Sequence, residues 1–178
     1  MKMRSTTIVA ARRPDGVAIG GDGQVTLGDT VMKHEAVKVR RMYEDRVLAG
    51  FAGSAADALA LFEKLEGRLE EFHGSLPRAA VELAKDWRSD RALRRLEAQI
   101  VACDAETSLL VSGGGDVLSP DDGVVSIGSG SSIALGVART LTKHTDMSPE
   151  EIVREALLTT ADICIYTNGH ITVETLSW

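Results

Sequence analysis

The chain is poor in the residues that most hydrolytic and binding chemistries need. Its 178 residues include two cysteines and four histidines, and only 4% are aromatic. Cys103 and Cys164 show no metal-ligand spacing, and two thiols far apart in sequence suit a reduced, cytoplasmic setting better than a disulfide framework. His34, His73, His144 and His170 are likewise unspaced for a metal and read as surface or packing residues. No Gly-x-Ser-x-Gly elbow is present. No glycine-rich loop ends in Gly-Lys-Ser or Gly-Lys-Thr, so the chain is expected to bind no nucleotide and to hydrolyse no ATP itself. Gly128-Ser129-Gly130-Ser131-Ser132-Ile133 could offer amides to an anion, but Ile133 stands where a dinucleotide fingerprint needs its third glycine. No apolar run approaches about 18 residues, which argues against a membrane span, and no apolar stretch of a secretion signal follows the polar leader, residues 1–5. A net charge of -6 argues against nucleic acid as a partner. The basic clusters at Lys38, Arg40 and Arg41 and at Arg88, Arg91, Arg94 and Arg95 read as solvated faces or subunit contacts.

What is present fits one domain with a real core. Strands are expected over 7–11 and 17–20, joined by the turn Arg13-Pro14-Asp15-Gly16, and again around 30–40 and 46–51. From Ser54, a good N-cap, the period becomes helical through Leu59, Phe62, Leu65, Leu69 and Phe72, and His73-Gly74 closes it. A second helix is expected over 77–95. Strands follow over 99–104, 108–112 and 124–127, then helices over 131–143 and 148–162, the last with a capping box from Ser148 to Glu151, and a final strand over 170–175. Helices in consecutive pairs around paired sheets indicate a layered α+β domain.

Thr6-Thr7-Ile8-Val9 opens the first strand. Threonine is an ordinary strand residue, but a threonine at a chain terminus can supply both nucleophile and base, its hydroxyl being activated by its own α-amine. That amine has a pKa of about 7.7 to 8.0, and a neighbouring cation lowers it. Gly20-Gly21-Asp22-Gly23 offers a carboxylate among glycines that allow close backbone approach. Lys38, in the expected strand segment Val37-Lys38-Val39, offers the cation, which a carboxylate would keep protonated. Gly50-Phe51-Ala52-Gly53 could direct a backbone N–H at a developing oxyanion.

The chain resembles the HslV (ClpQ) family, the proteasome-related peptidases of the bacterial HslVU (ClpYQ) protease. The resemblance rests on Thr6-Thr7-Ile8-Val9, Gly21-Asp22-Gly23-Gln24-Val25-Thr26-Leu27-Gly28, Val37-Lys38-Val39-Arg40-Arg41 and Leu48-Ala49-Gly50-Phe51-Ala52-Gly53. It continues through Ala79-Ala80-Val81-Glu82-Leu83-Ala84-Lys85-Asp86-Trp87-Arg88, Ile127-Gly128-Ser129-Gly130 and Asp162-Ile163-Cys164-Ile165-Tyr166-Thr167-Asn168, and so spans residue 6 to the end.

The resemblance implies a four-layer αββα sandwich of the N-terminal nucleophile hydrolase type over 6–178, behind a propeptide of residues 1–5. It implies an ATP-dependent threonine endopeptidase in which Thr6 is nucleophile and, through its amine, base. Lys38 would tune the amine, Asp22 orient Lys38, the Gly50 amide contribute to the oxyanion hole and Ser129 support the amine. It further implies a sodium ion on the backbone carbonyls of Ala161, Cys164 and Thr167, two stacked hexameric rings, and a hexameric ATPase unfoldase, HslU (ClpY), that delivers unfolded polypeptide. Two departures stand out: many relatives have a second glycine and then proline or asparagine where this chain has Ser131-Ser132-Ile133, and the leader is longer than one methionine, so autoprocessing between Ser5 and Thr6 is expected. An inactive assembly subunit and a small-substrate amidase of the same superfamily stay open as alternatives.

Overall fold

A computed structural model describes residues 6–91, 93 and 98–178. The leader, residues 1–5, and Arg94 and Arg95 lie outside the described residues. In chain order the elements are β1 (Thr7–Arg13), β2 (Gly16–Asp22), β3 (Val25–Leu27), β4 (Thr30–Lys33), β5 (Val39–Met42), β6 (Val47–Ala52), α1 (Ala55–Glu71) and α2 (Leu76–Ser89). They continue with β7 (Gln99–Cys103), β8 (Ser108–Ser112), β9 (Val117–Leu118), β10 (Val124–Gly128), α3 (Ser131–His144), α4 (Pro149–Ile163) and β11 (Ile171–Ser177).

The near-continuous apolar runs of β1 and β2 need cover on both faces, and the layers supply it. Ile8, Ala10, Val17 and Ile19 point into a core between two sheets, where they meet Val39, Leu48, Val101 and Ile127. Val9, Ala11 and Ala18, one residue out of phase, point to α3 and α4 and meet Ala134, Ile152, Val153 and Leu157. The first sheet runs β10-β1-β2-β11 and the second β5-β6-β7-β8-β9, with β3-β4 a separate hairpin. On its far side the second sheet carries α1 and α2 through Leu61, Leu65, Leu69, Leu76, Leu83 and Trp87. The order of layers is helix, sheet, sheet, helix, as expected. No helix among the described residues is long and apolar enough to cross a membrane.

Local signals hold where the physics is local. Pro14 and Asp15 form the two-residue link between Arg13 and Gly16, which face each other in the register. The Ser54 side chain accepts the Asp57 N–H at the start of α1, and Ser148 and Glu151 form the complete capping box of α4. The end of α1 is closed by His73 and Gly74 at positive φ, with the Gly74 N–H on the Leu69 carbonyl. Three expectations need correction. Leu59 is an exposed residue of α1, whose core stripe runs through Ala58, Leu61, Phe62, Leu65 and Leu69. The second helix ends at Ser89, because Asp90 turns extended and its carboxylate takes the Leu93 N–H, an alternative to the next helical turn. The expected strand over 30–40 is interrupted between β4 and β5, where the Ala36 N–H reaches across to the Gly23 carbonyl.

Candidate active site

The two threonines at the head of β1 have different surroundings. Thr6 is buried, and its carbonyl accepts the Ser129 N–H at 2.8 Å. Gly128 makes that approach possible: it sits at φ 95°, and a Cβ there would lie 1.8 Å from the Thr6 oxygen. The Thr7 hydroxyl is engaged in the fold, accepting the Gly130 N–H at 3.0 Å and bonding the Thr167 hydroxyl at 2.8 Å. Thr7 therefore joins the head of β1 to the start of α3 and to the segment after α4; Thr6, at the head of that strand, is the candidate nucleophile.

Asp22 follows from strand register. Ile8 faces Gly21, so one residue further along the hairpin Thr7 comes beside Asp22 at the end of β2. Asp22 is fully buried, and both of its oxygens are used: Oδ1 accepts the Thr7 N–H at 2.9 Å and the Lys38 ammonium at 3.0 Å, Oδ2 the Gln24 N–H at 3.0 Å and the Asn168 N–H at 3.3 Å. The carboxylate thus places the lysine one oxygen away from the amide that follows Thr6. Lys38 also donates to the Gln24 carbonyl at 2.6 Å. Burial pulls its pKa below the ordinary lysine value, while the charge of Asp22 and the hydrogen bond to it act in the opposite direction.

Lys38 does not lie in a strand, contrary to expectation. It immediately precedes β5, Val37 is 72% exposed, and Lys38 and Val39 are both buried, so the alternation expected of an extended segment fails. The cause is the need of a buried ammonium for oxygen partners, which Asp22 and Gln24 supply from elsewhere in the chain. Of the basic cluster around it, Arg40 and Arg41 are exposed as expected, the Arg40 guanidinium lying over the Phe62 ring at 4.4 Å and Arg41 pairing with Glu174 at 2.7 Å, and only Lys38 is buried.

Gly50 stands apart from this group. It lies inside β6 between Val39 of β5 and Val101 of β7, and a side chain there would run into Ile8, Ile19 and Val39. The neighbouring Phe51 N–H points to the Lys38 carbonyl, so strand alternation turns the Gly50 N–H toward β7 and its ladder. Its glycine is required by packing between the sheets, and its amide faces the β7 ladder, a geometry that does not favour the expected oxyanion role. The chain leaves the ladder after Ala52, whose Cβ is 3.4 Å from where a Gly128 Cβ would lie. Ala52, the last residue of β6, thus comes close to the Gly128 position that packs on the Thr6 carbonyl, and Gly53 follows it directly. Ser129 touches Thr6 through its backbone N–H, and its residue is otherwise exposed.

Ala161 lies in the last turn of α4, Cys164 is its C-cap, and the Thr167 N–H donates to the Cys164 carbonyl at 3.0 Å. Helix C-terminal carbonyls are partly unpartnered and at the negative end of the dipole, a donor set that fits a hard cation. Among the described residues no group of His, Cys, Asp or Glu could hold a metal ion, so a cation at this turn would rest on carbonyl oxygen.

Gly130 and Asn168 stand in the motifs that carry the resemblance, but the sequence assigned neither a role at the site. A Cβ on Gly130 would meet the Thr160 Cγ2 at 2.3 Å and the Thr7 Oγ1 at 2.5 Å, so the glycines around Ser129 reflect packing against the two threonines. Their clustering in Gly128-Ser129-Gly130 was the available signal.

A buried threonine at the head of a central strand, in an αββα sandwich and beside a carboxylate–lysine pair, has the architecture of an N-terminal nucleophile hydrolase. A family model described as proteasome subunit matches residues 3–176. The ATP-dependent protease subunit HslV of Syntrophobacter fumaroxidans is 58% identical over 174 residues, covering 98% of this chain and 97% of that protein. The crystal structure of eukaryotic HslV from Trypanosoma brucei superposes with a TM-score of 0.92 at 49% identity, covering 97% of this chain and 99% of the other. Thiobacillus denitrificans BPH shares the fold, with a TM-score of 0.73 at 17% identity over 96% of this chain and 97% of the other. The chain belongs to the proteasome subunit family, and HslV proteins are its relatives there across nearly its full length.

Proposed function

We propose that this chain is the threonine peptidase subunit of an ATP-dependent protease, with Thr6 as its N-terminal nucleophile once residues 1–5 are removed. The observation that supports this most directly is the shared oxygen of Asp22, which holds the Thr7 N–H and the Lys38 ammonium together beside Thr6. A positive charge there lowers the pKa of the freed α-amine and keeps more of it neutral near pH 7. The Thr6 hydroxyl oxygen then attacks a peptide carbonyl carbon while its proton passes to the α-amine. Negative charge on the carbonyl oxygen is met by backbone N–H groups, for which Gly53, just after β6 and outside its ladder, is the better candidate than Gly50. The C–N bond breaks as the departing amine takes the proton, leaving an acyl ester on Thr6, and water hydrolyses the ester with the α-amine again as base. Asp22 and Lys38 set the charge at the amine, and Ser129 supports it.

Sodium on the carbonyls of Ala161, Cys164 and Thr167 would order the turn that carries Thr167, the partner of Thr7. The working form we propose is a homo-oligomer of two stacked hexameric rings, supplied with unfolded polypeptide by a hexameric HslU-type ATPase in the cytoplasm. Support comes from the HslV relatives and from Val37, Ile163 and Ile165, exposed apolar side chains before β5, at the end of α4 and just after it, available for burial between subunits.

Peptide and unfolded-protein hydrolysis by wild type and Thr6→Ala, with and without the ATPase and ATP, tests the reading. Thr6→Ala should lose essentially all turnover of both substrates, and the wild type should gain activity from the ATPase. Equal turnover by Thr6→Ala would overturn the mechanism, and full activity on folded protein without the ATPase would overturn the partnership.

A further inference from the structure

Asn168 occupies a junction that none of the proposed chemistry uses. Its backbone N–H donates to Asp22 Oδ2 at 3.3 Å. Its side-chain oxygen accepts the Gly23 N–H at 3.1 Å and the His170 N–H at 3.2 Å, and its side-chain nitrogen donates to the His34 carbonyl at 3.0 Å. Gly23 follows Asp22 directly, and His34 lies in the connection that delivers Lys38 to the site. These two backbones already touch: the Ala36 N–H donates to the Gly23 carbonyl at 2.9 Å, and a Cβ on Gly23 would lie 2.2 Å from the His34 oxygen. One amide side chain thus ties together the segment of the carboxylate and the segment of the lysine.

We propose that Asn168 is a positioning residue that sets the Asp22–Lys38 distance, and through it the charge felt by the Thr6 amine. The inference rests on the threonine mechanism above. An amide is the side chain that fits, because the junction asks for an acceptor toward Gly23 and His170 and a donor toward His34. Asn168→Asp keeps the acceptor, removes the donor and adds a negative charge near Asp22. Asn168→Ala removes all the side-chain bonds. In either variant Lys38 is held less closely, its depressing effect on the amine weakens, and the amine pKa rises.

The titratable groups around the junction are Asp22 on β2, Lys38 before β5, His34 and Glu35 in the same connection, and His170 before β11. The His34 and His170 rings are 6.4 Å apart, and His170 Nδ1 lies 3.9 Å from Glu35 Oε1. A His170→Gln variant therefore separates histidine titration from that of the amine.

The test is the pH profile of kcat/KM for peptide hydrolysis, with thermal unfolding measured in parallel. Both Asn168 variants should shift the acid limb upward by about one unit, which makes them about fivefold slower at pH 7 and within about twofold of wild type on the alkaline plateau. His170→Gln should leave the limb in place. An unshifted limb in Asn168→Asp, or a loss equal at every pH that tracks unfolding, would overturn the role of Asn168. A limb that moves with His170→Gln would also overturn it. If Asn168→Ala does not fold, Asn168→Asp decides alone, since it retains the bonds to Gly23 and His170. A Thr6→Ala chain that still hydrolyses peptide marks failure of the underlying mechanism, whereas an inactive Thr6→Ala with unshifted Asn168 limbs marks failure of this inference only.

Discussion

The α1–α2 layer and the α3–α4 layer cover corresponding faces of the two sheets, but they are built from different materials. The first is bulky: Leu61, Leu65, Leu69, Leu76, Leu83 and Trp87 are essentially inaccessible to water. The second uses Ala134, Ala138 and Ala156 beside Ile152, Val153 and Leu157, and Val153 and Leu157 come so close to β2 that a Cβ on Gly20 would collide with both. Its loops then reach the site, through Gly130 at the start of α3 and through Thr167 and Asn168 after α4. Bulk supplies stability in one layer; close approach supplies placement in the other. Damage to the first should therefore show mainly as lost folding free energy, and damage at the ends of the second as lost activity.

The largest effect is expected where both kinds of cost fall on one residue. Lys38→Met leaves the buried Asp22 carboxylate without its cation, which should cost about 3 to 5 kcal/mol in a denaturation experiment. The same change should slow peptide hydrolysis by roughly 10²- to 10⁴-fold in the molecules that fold, since the amine loses its tuning. Leu83→Ala, in the bulky layer, should cost about 2 to 5 kcal/mol with kcat per folded molecule unchanged; a kcat loss at full stability would break the contrast between the layers. Gly130→Ala sharpens it from the other side. Its Cβ would crowd Thr160 and the Thr7 hydroxyl, so a stability cost of about 1 to 3 kcal/mol should accompany a disproportionate loss of activity.

The smallest effect concerns the thiols. Cys103 lies between the sheets, where burial pushes its pKa up to about 11, with opposing contributions from the Ser108 hydroxyl and Arg12. Iodoacetamide at pH 8 should modify Cys164, which is partly accessible, and leave Cys103 intact until the chain unfolds. The folded thiol stays neutral while the unfolded one ionises, so its contribution to stability is present below the ordinary thiol range and is lost as pH rises toward about 11. Mass mapping of the alkylated peptides checks the first statement, and unfolding curves across that pH range check the second.

What could be read from sequence follows the same division. The β1–β2 hairpin, the Ser54 cap and the Ser148–Glu151 capping box depend on neighbours in the chain, and each is visible as spacing or as a turn residue, whereas the order of the four layers came from the family resemblance. Asp22 was legible as a carboxylate among glycines, although the reason for those glycines, contact with Ile8 at Gly21 and with His34 at Gly23, was not. Lys38 illustrates the limit. Flanking valines suggest a strand, but a buried ammonium goes where Asp22 and Gln24 offer oxygen, and that requirement overrides alternation. Gly50 shows the converse: a glycine near a candidate site can answer to packing against Ile8 and Ile19 across the sheet interface. Asn168 was visible only as the end of a family motif, and its role was not legible because its partners, Asp22, Gly23 and His34, lie far from it in sequence.

The central claim is that Thr6 works as a chain terminus. Intact mass and N-terminal sequencing of the purified, peptide-hydrolysing protein test it most directly. The account predicts that the active chain begins at Thr6, with residues 1–5 absent. A fully active chain that still carries Ser5 would contradict it, because the amine that serves as base would then be locked in a peptide bond.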